Sequence, residues 1–152
     1  MEEAARVRAV ADRLNDLSPI LQIVGENVRA FIDDRFATAT APDGAPWRPL
    51  SMTTVAVNPR RAGGSPLADT GRLRASITYD AQSRSLSFGT NVVYAAKQHF
   101  GDPNNRMFGG SPAPVPARAY LLVDQAGNLV PREFWEEQFC IIERWIATGE
   151  VS

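Results

Sequence analysis

The residues that could carry acid–base or nucleophilic chemistry are few in this 152-residue chain, and they form no known catalytic pattern. His99 is the only histidine, and no serine lies in the G-x-S-x-G context of an activated nucleophile. No glycine-rich phosphate loop is followed by Lys-Ser or Lys-Thr. The paired acids Asp33-Asp34 and Glu136-Glu137 fall in helical patterns and are interpreted as solvated. The sequence therefore predicts no enzyme and no bound cofactor.

A metal centre is not predicted either, because coordination needs several ligands and His99 has no carboxylate pair close to it in the sequence. The single cysteine, Cys140, lies in the apolar run 139–142, so we expect its thiol to be buried. His99 stands at a predicted helix end, just before Gly101, where we expect it to bond to a turn or to a neighbouring chain. No apolar run approaches the roughly 18 residues that cross a bilayer, so no membrane partner is predicted.

Charge is segregated along the chain, although the formal net charge is only −1. Residues 48–118 carry nine basic and three acidic residues, a balance of +6. Residues 1–47 carry five basic and eight acidic residues, a balance of −3. Residues 119–152 carry two basic and six acidic residues, a balance of −4. Such a layout either lets copies attract one another, middle against ends, or is plain solvated surface. Arg72 and Arg74 are accordingly open to three interpretations: solvated side chains, phosphate contacts, or salt bridges across subunits.

The three tryptophans fall in two different contexts. Trp135 and Trp145 lie on the periodic face of the last predicted helix, which is typical of core or subunit contacts. Trp47 lies in an irregular, proline-rich segment. There it either anchors the segment onto the body of the domain or docks into a neighbouring chain.

The hydrophobic periods predict a single α+β domain over residues 1–152. Apolar residues recur at steps of three and four in two N-terminal segments, a short central one, and a C-terminal one that Pro131 opens. Alternating apolar and polar residues predict a small, mainly antiparallel sheet with a hairpin that turns near Ser83 and Arg84. We expect the C-terminal helix to pack on this sheet. The predicted elements are helices over 2–17, 19–38 and 92–100 and from 131 onward, and strands over 77–81, 85–89 and 119–123.

Two long segments, 40–68 and 102–116, are rich in proline and glycine and carry no apolar period. The prolines at 46, 49 and 59 argue against any regular element in the first of them. Loops of this length are uncommon in small domains and are usually functional or disordered. Ordering them costs conformational entropy, so we expect them to be flexible alone and ordered on assembly.

Four short cassettes stand in a fixed order across most of the chain. They are Phe36-x5-Pro42-Asp43-Gly44-x2-Trp47-x-Pro49-Leu50-Ser51, Leu67-x2-Thr70-Gly71-x-Leu73-x2-Ser76-Ile77, Gly89-Thr90-Asn91-x2-Tyr94-Ala95 with His99-Phe100-Gly101, and Val115-Pro116-Ala117-Arg118-x-Tyr120-Leu121. In this order they resemble the phage virion morphogenesis family, the tail completion proteins of Mu-like and P2-like tailed phages. Similar cassettes occur in small head–tail joining or neck proteins.

The resemblance implies a structural virion protein that finishes the head-proximal end of a tail or forms the neck. It implies a ring of six copies, contacts with other tail or neck proteins, and a channel through which DNA passes. The protein would be found in the virion, and in the host cytoplasm during assembly. The residues expected at a subunit or partner interface are Trp47, Arg72, Arg74, His99 and Arg118.

Two rival functions come from other classes. A DNA-binding protein would use the basic segment 48–118, and its isolated chain would bind DNA with a strong dependence on salt. A small hydrolase would centre on His99, although no activated partner for that histidine is evident in the sequence.

Overall fold

The computed structural model describes residues 1–106 and 109–151, and it has the predicted α+β architecture. Both N-terminal helices, the hairpin, the short central helix and the C-terminal helix are present. The elements are α1 (Glu2–Asn15), α2 (Ser18–Thr38), α3 (Met52–Val57), a 3-10 turn (Pro59–Arg61), α4 (Arg72–Ala75), β1 (Thr78–Ala81), β2 (Leu86–Gly89), α5 (Ala95–Phe100) and α6 (Arg132–Thr148).

Helix α2 is the centre of the core. Its apolar residues at steps of three and four face inward. Asp16 organises the start of the helix, since its carboxylate accepts from the Ser18 backbone N–H at 3.0 Å and from the Ser18 hydroxyl at 2.6 Å. The buried residues of α2 are Ile20, Leu21, Val24, Gly25, Val28, Ile32 and Phe36.

The hairpin β1–β2 lies against α2. Its antiparallel register pairs Tyr79 with Phe88, and the turn closes with the Gln82 N–H donating to the Ser85 carbonyl at 2.8 Å. The ring of Tyr79 lies so close to Gly25 of α2 that a Cβ there would be 2.3 Å from the ring. Glycine at this position is what lets the strand and the helix approach each other.

Helix α6 packs on α1 and α2 and reaches the sheet through Trp135, whose ring stacks on Phe88 with centroids 5.9 Å apart. The Asn27 side chain of α2 donates to the Gln138 side chain at 2.7 Å. The predicted packing of the C-terminal helix on the sheet is thus confirmed. Helix α1 buries no residue, and Arg13 ties it to α6 by donating to the Ile146 carbonyl at 2.8 Å.

The first long segment does contain regular structure, so the prediction of none in 40–68 is wrong. Ser51 caps helix α3 (Met52–Val57): its hydroxyl accepts from the Thr54 N–H at 3.1 Å, and the helix ends before Pro59. The prolines flank this six-residue helix instead of interrupting it. In 102–116, two isolated bridges pair Asp102 with Val115 and Arg106 with Pro112. Residues 107 and 108 of that predicted loop lie outside the described residues.

The predicted strand over 119–123 is wrong, although the burial behind it is correct. Tyr120 and Leu122 are completely buried, but the only sheet of the described residues contains β1 and β2 alone. Leu121 and Leu122 lie in a bend, and Val123 makes one isolated bridge, to Leu129. Tyr120 and Leu122 belong to the core, while the backbone N–H groups of Tyr120 and Leu121 bond to the His99 ring instead of to a neighbouring strand.

Two further residue environments differ from what the sequence suggests. Cys140 is exposed on the outer side of α6, so the predicted buried thiol is wrong. Val93, which precedes α5, and Phe100, at the end of α5, are exposed as well. That helix buries the opposite side, with Ala95 and His99 facing the core.

Candidate functional site

Arg118 is the charged residue that lies deepest in the described protein, with 6% of its surface exposed. Its Nε donates to the Arg48 carbonyl at 2.8 Å, and its Nη2 donates to the Pro49 carbonyl at 3.1 Å. Among the ion pairs of residues 1–106 and 109–151, none involves Arg118. Burial, and then the positive charges of Arg61 and Arg48, lower the pKa of the guanidinium. Arginine stays protonated nonetheless, so this is a buried charge without a countercharge.

The backbone that carries Arg118 crosses directly over the end of α5. The Arg118 N–H donates to the Gln98 carbonyl at 2.9 Å. Gly101, with φ of +79°, leaves room for this crossing, because a Cβ there would lie 2.8 Å from the Ala117 nitrogen and 2.9 Å from the Val115 oxygen. The glycine after α5 therefore both ends the helix and admits the segment that presents the arginine.

His99 holds the next part of the same segment. Its Nδ1 accepts from the Tyr120 N–H at 3.1 Å and from the Leu121 N–H at 3.3 Å. With Nδ1 accepting, Nε2 carries the proton and donates to the Val123 carbonyl at 2.9 Å. Burial lowers the pKa of His99, and the bond to Val123 opposes that shift only in part. The ring takes the place of a strand partner for the backbone of residues 120–123, which is a structural task.

Trp47 anchors its segment onto the body, the first of the two alternatives that the sequence left open. It is 6% exposed, and its ring meets Phe36 edge-on with centroids 5.5 Å apart. Its Nε1 donates to the Ala119 carbonyl at 2.7 Å. The structure thus gives Trp47, His99 and Arg118 partners inside the chain, and an additional interface role for them stays a prediction.

A groove opens beside Arg118, and we call it the arginine groove. It consists of two adjoining hollows of about 860 Å³ and 720 Å³. Four arginines and one aspartate line it, which gives a balance of +3. The residues common to both hollows are Leu50, Ser51, Thr54, Arg61, Asp69 and Val115, and the other charged lining residues are Arg48, Arg72 and Arg118.

Helix α3 forms one wall of this groove, and it exposes apolar side chains. Met52 and Val57 of α3 are 84% and 73% exposed. The 112–115 segment also lines the groove, with Pro112 and Pro114 among its residues. Apolar side chains together with arginines are typical of protein interfaces.

Comparison with known proteins gives the family. Residues 3–139 match the model of the phage virion morphogenesis family. The chain belongs to this family. Mu-like prophage FluMu G protein 2 of Haemophilus influenzae is 27% identical over 106 residues, which are 70% of this chain and 66% of that protein. The chain therefore spans slightly less than two thirds of the length of that curated relative. No solved structure matches this chain.

The range matched to the phage virion morphogenesis family includes the whole arginine groove and ends inside α6. Within the described parts of this family member, no group of three or more His, Cys, Asp or Glu side chains is arranged to hold a metal ion. None of its described helices is long and apolar enough to cross a membrane.

The structure separates the two arginines of the 67–77 cassette. Arg74 forms a two-bond ion pair with Asp33 of α2, and this bonding lowers the pKa of Asp33. Arg72 is exposed at the edge of the arginine groove, and no ion pair involves it within the described ranges. The cassette itself makes α4, which Gly71 starts in a left-handed conformation and Leu73 anchors in the core. Only Arg72 of the pair therefore stays available to a partner.

Sequence reasoning named Arg72 and Arg118 but missed the groove that brings them together. Arg48 and Arg61 lie 70 and 57 residues before Arg118, and no local pattern connects them. Helix α3 could have been found from the sequence, because Ser51 is a favoured N-cap residue and the prolines at 49 and 59 stand outside the helix.

Proposed function

We propose that this member of the phage virion morphogenesis family is a tail completion or head–tail joining (neck) subunit that acts in a ring of copies. The observation that carries the proposal is the family match over residues 3–139. Virion morphogenesis is the assembly of phage particles, so the match supports a role in assembly. The relative from a Mu-like prophage supports a tailed-phage origin. The protein would reside in the virion, after assembling in the host cytoplasm.

The geometry supports a function performed by surfaces rather than by a reactive centre. The residues with catalytic potential serve the fold: His99 bonds three backbone groups, and Arg118 bonds two carbonyls. Two surface features are left that a partner could contact: the arginine groove with its apolar walls, and the acidic C-terminal helix α6. Complementary charged surfaces give an assembly its specificity and speed its encounters.

The direct test is electron microscopy of phage particles made without this protein. We expect DNA-filled heads and finished free tails that do not join, and we expect the purified protein to restore infectious particles when it is added to that lysate. Particles that assemble normally without the protein would refute the proposal. Tails of uncontrolled length would assign the protein to tail termination instead, and heads that lose their DNA would assign it to head closure.

DNA binding by the basic segment is the second candidate, and one observation favours it: the +6 balance of residues 48–118. The structure reduces the charge that is available, because Arg61, Arg74 and Lys97 pair with carboxylates of the same chain and Arg118 is buried. Titration of duplex DNA with the isolated chain at several salt concentrations tests it. A DNA-binding function requires tight binding with a steep salt slope, whereas the assembly function expects weak binding by the free chain.

A further inference from the structure

We infer that the arginine groove is the docking site for the outer, acidic face of α6 from a second copy of this chain. The inference rests on the proposed function, because it names the contact by which copies would form a ring. Its first support is the uncompensated charge of Arg118. Buried charges in proteins are normally paired, yet within the described residues no carboxylate forms an ion pair with Arg118, and its guanidinium bonds only to the Arg48 and Pro49 carbonyls. A carboxylate entering the groove would supply the missing countercharge.

The walls of the groove favour a protein partner over a nucleic acid. Exposed Met52 and Val57 stand on the α3 wall, and prolines 112 and 114 also line the groove. Interfaces with nucleic acid are more polar and much more positively charged than interfaces between proteins. A partner that matches this groove combines carboxylates with an apolar side chain on one face.

The outer face of α6 has this combination. Helical spacing brings four glutamates to the exposed side together with Phe139, which is 50% exposed. Within the described residues, only one of the four glutamates makes an ion pair, and its partner is Arg132 of the same helix. At 17 residues, α6 is about 25 Å long, enough to follow a groove of this size. The four glutamates are Glu133, Glu136, Glu137 and Glu143.

Net charge favours α6 over α1 as the helix that docks in the arginine groove. Helix α1 carries three acidic and three basic residues, so it offers no net attraction to a groove of +3. Helix α6 carries four glutamates and two arginines, a balance of −2. The groove and the outer face of α6 are different surfaces of one chain, so their contact is head-to-tail. Repeated head-to-tail contacts close into a ring when the rotation between copies closes.

A charge-exchange experiment tests this contact. One variant reverses the groove with Arg48→Glu and Arg72→Glu, and the other reverses the helix with Glu137→Arg and Glu143→Arg. All four side chains are exposed, so both variants should fold. We expect each variant alone to self-associate at least about tenfold more weakly than the wild type in sedimentation at low salt. We expect an equimolar mixture to associate again, because each reversed groove then meets a reversed helix.

The matched control reverses two exposed arginines that neither line the arginine groove nor belong to α6, with Arg8→Glu on α1 and Arg84→Glu in the hairpin turn, and it should associate like the wild type. A wild type that stays monomeric at low salt, or variants whose mixture fails to associate, would overturn the inference. So would a groove variant that loses binding to duplex DNA and keeps its self-association. Complementation separates this inference from the proposed function: if both variants restore the joining of heads to tails, the function stands and the groove contact falls.

Discussion

Replacing Trp47 with alanine tests whether this residue belongs to the core of the single chain. The indole is almost fully buried, and its ring packs edge-on against Phe36. Truncating a buried tryptophan costs about 3–5 kcal/mol of unfolding free energy, because transfer and cavity costs add. The Ala119 carbonyl also loses the donor that now lies 2.7 Å away. Small domains are stable by only about 5–15 kcal/mol, so this loss would be a large part of the total.

The assay is urea unfolding followed by far-UV circular dichroism, in salt high enough to keep the chain monomeric. Trp47→Phe keeps a smaller aromatic ring against Phe36 and removes the donor, so we expect it to lose less stability than Trp47→Ala. Phe139→Ala, which removes a half-exposed aromatic ring of α6, is the matched control and should change stability by less than about 1 kcal/mol. If Trp47→Ala also lost less than about 1 kcal/mol but abolished assembly, Trp47 would be an interface residue, contrary to the structure.

Three other perturbations check separate parts of the structure. Burial lowers the pKa of His99, so the free energy of unfolding should fall as the pH drops below about 6.5, by at most about 1.4 kcal/mol per pH unit. Since His99 is the only histidine, His99→Gln should flatten that slope between pH 7 and 5, and an unchanged slope would contradict the buried neutral ring. Gly25→Ala should lower the urea midpoint, by overpacking against Tyr79 that costs about 1–3 kcal/mol, and a raised midpoint would contradict the close approach. In an NMR titration, Asp33 should have a pKa below its usual 3.8, and Arg74→Gln should raise it, whereas no rise would show that the ion pair is absent.

Elements whose cause is local were predictable from the sequence. The apolar period of α2 and the alternation of the hairpin each lie within one short segment, and both elements have nearly the predicted bounds. The start of α6 after Pro131 is also local, because proline ends the preceding segment and does not need an N–H there. The family could be recognised for a related reason: its cassettes are turns and helix ends, which depend on neighbouring residues.

Predictions from the sequence were wrong where a short apolar run is compatible with more than one local structure or orientation. Residues 119–123 are buried as expected, but a strand also needs a partner strand, and the ring of His99 satisfies that backbone instead. The short helix α5 spans fewer than two turns, so the sequence could not say which side of it would be buried. Cys140 lies in an apolar run but on the outer side of α6, where the burial of Trp135 and Gln138 on the inner side leaves it exposed.

By itself, the sequence determined the α+β class, the family and the segregation of charge, because composition, periodicity and local turns are properties of short stretches of chain. Only the tertiary structure decided that Trp47 and Arg118 are buried and that Arg72 and Arg74 are separated. The physical reason is distance along the chain. The carbonyls that receive the Arg118 guanidinium are 69 and 70 residues away, and the carbonyl that receives Trp47 is 72 residues away. Backbone acceptors are present at every residue, so nothing in the side-chain sequence marks which of them a buried donor will meet.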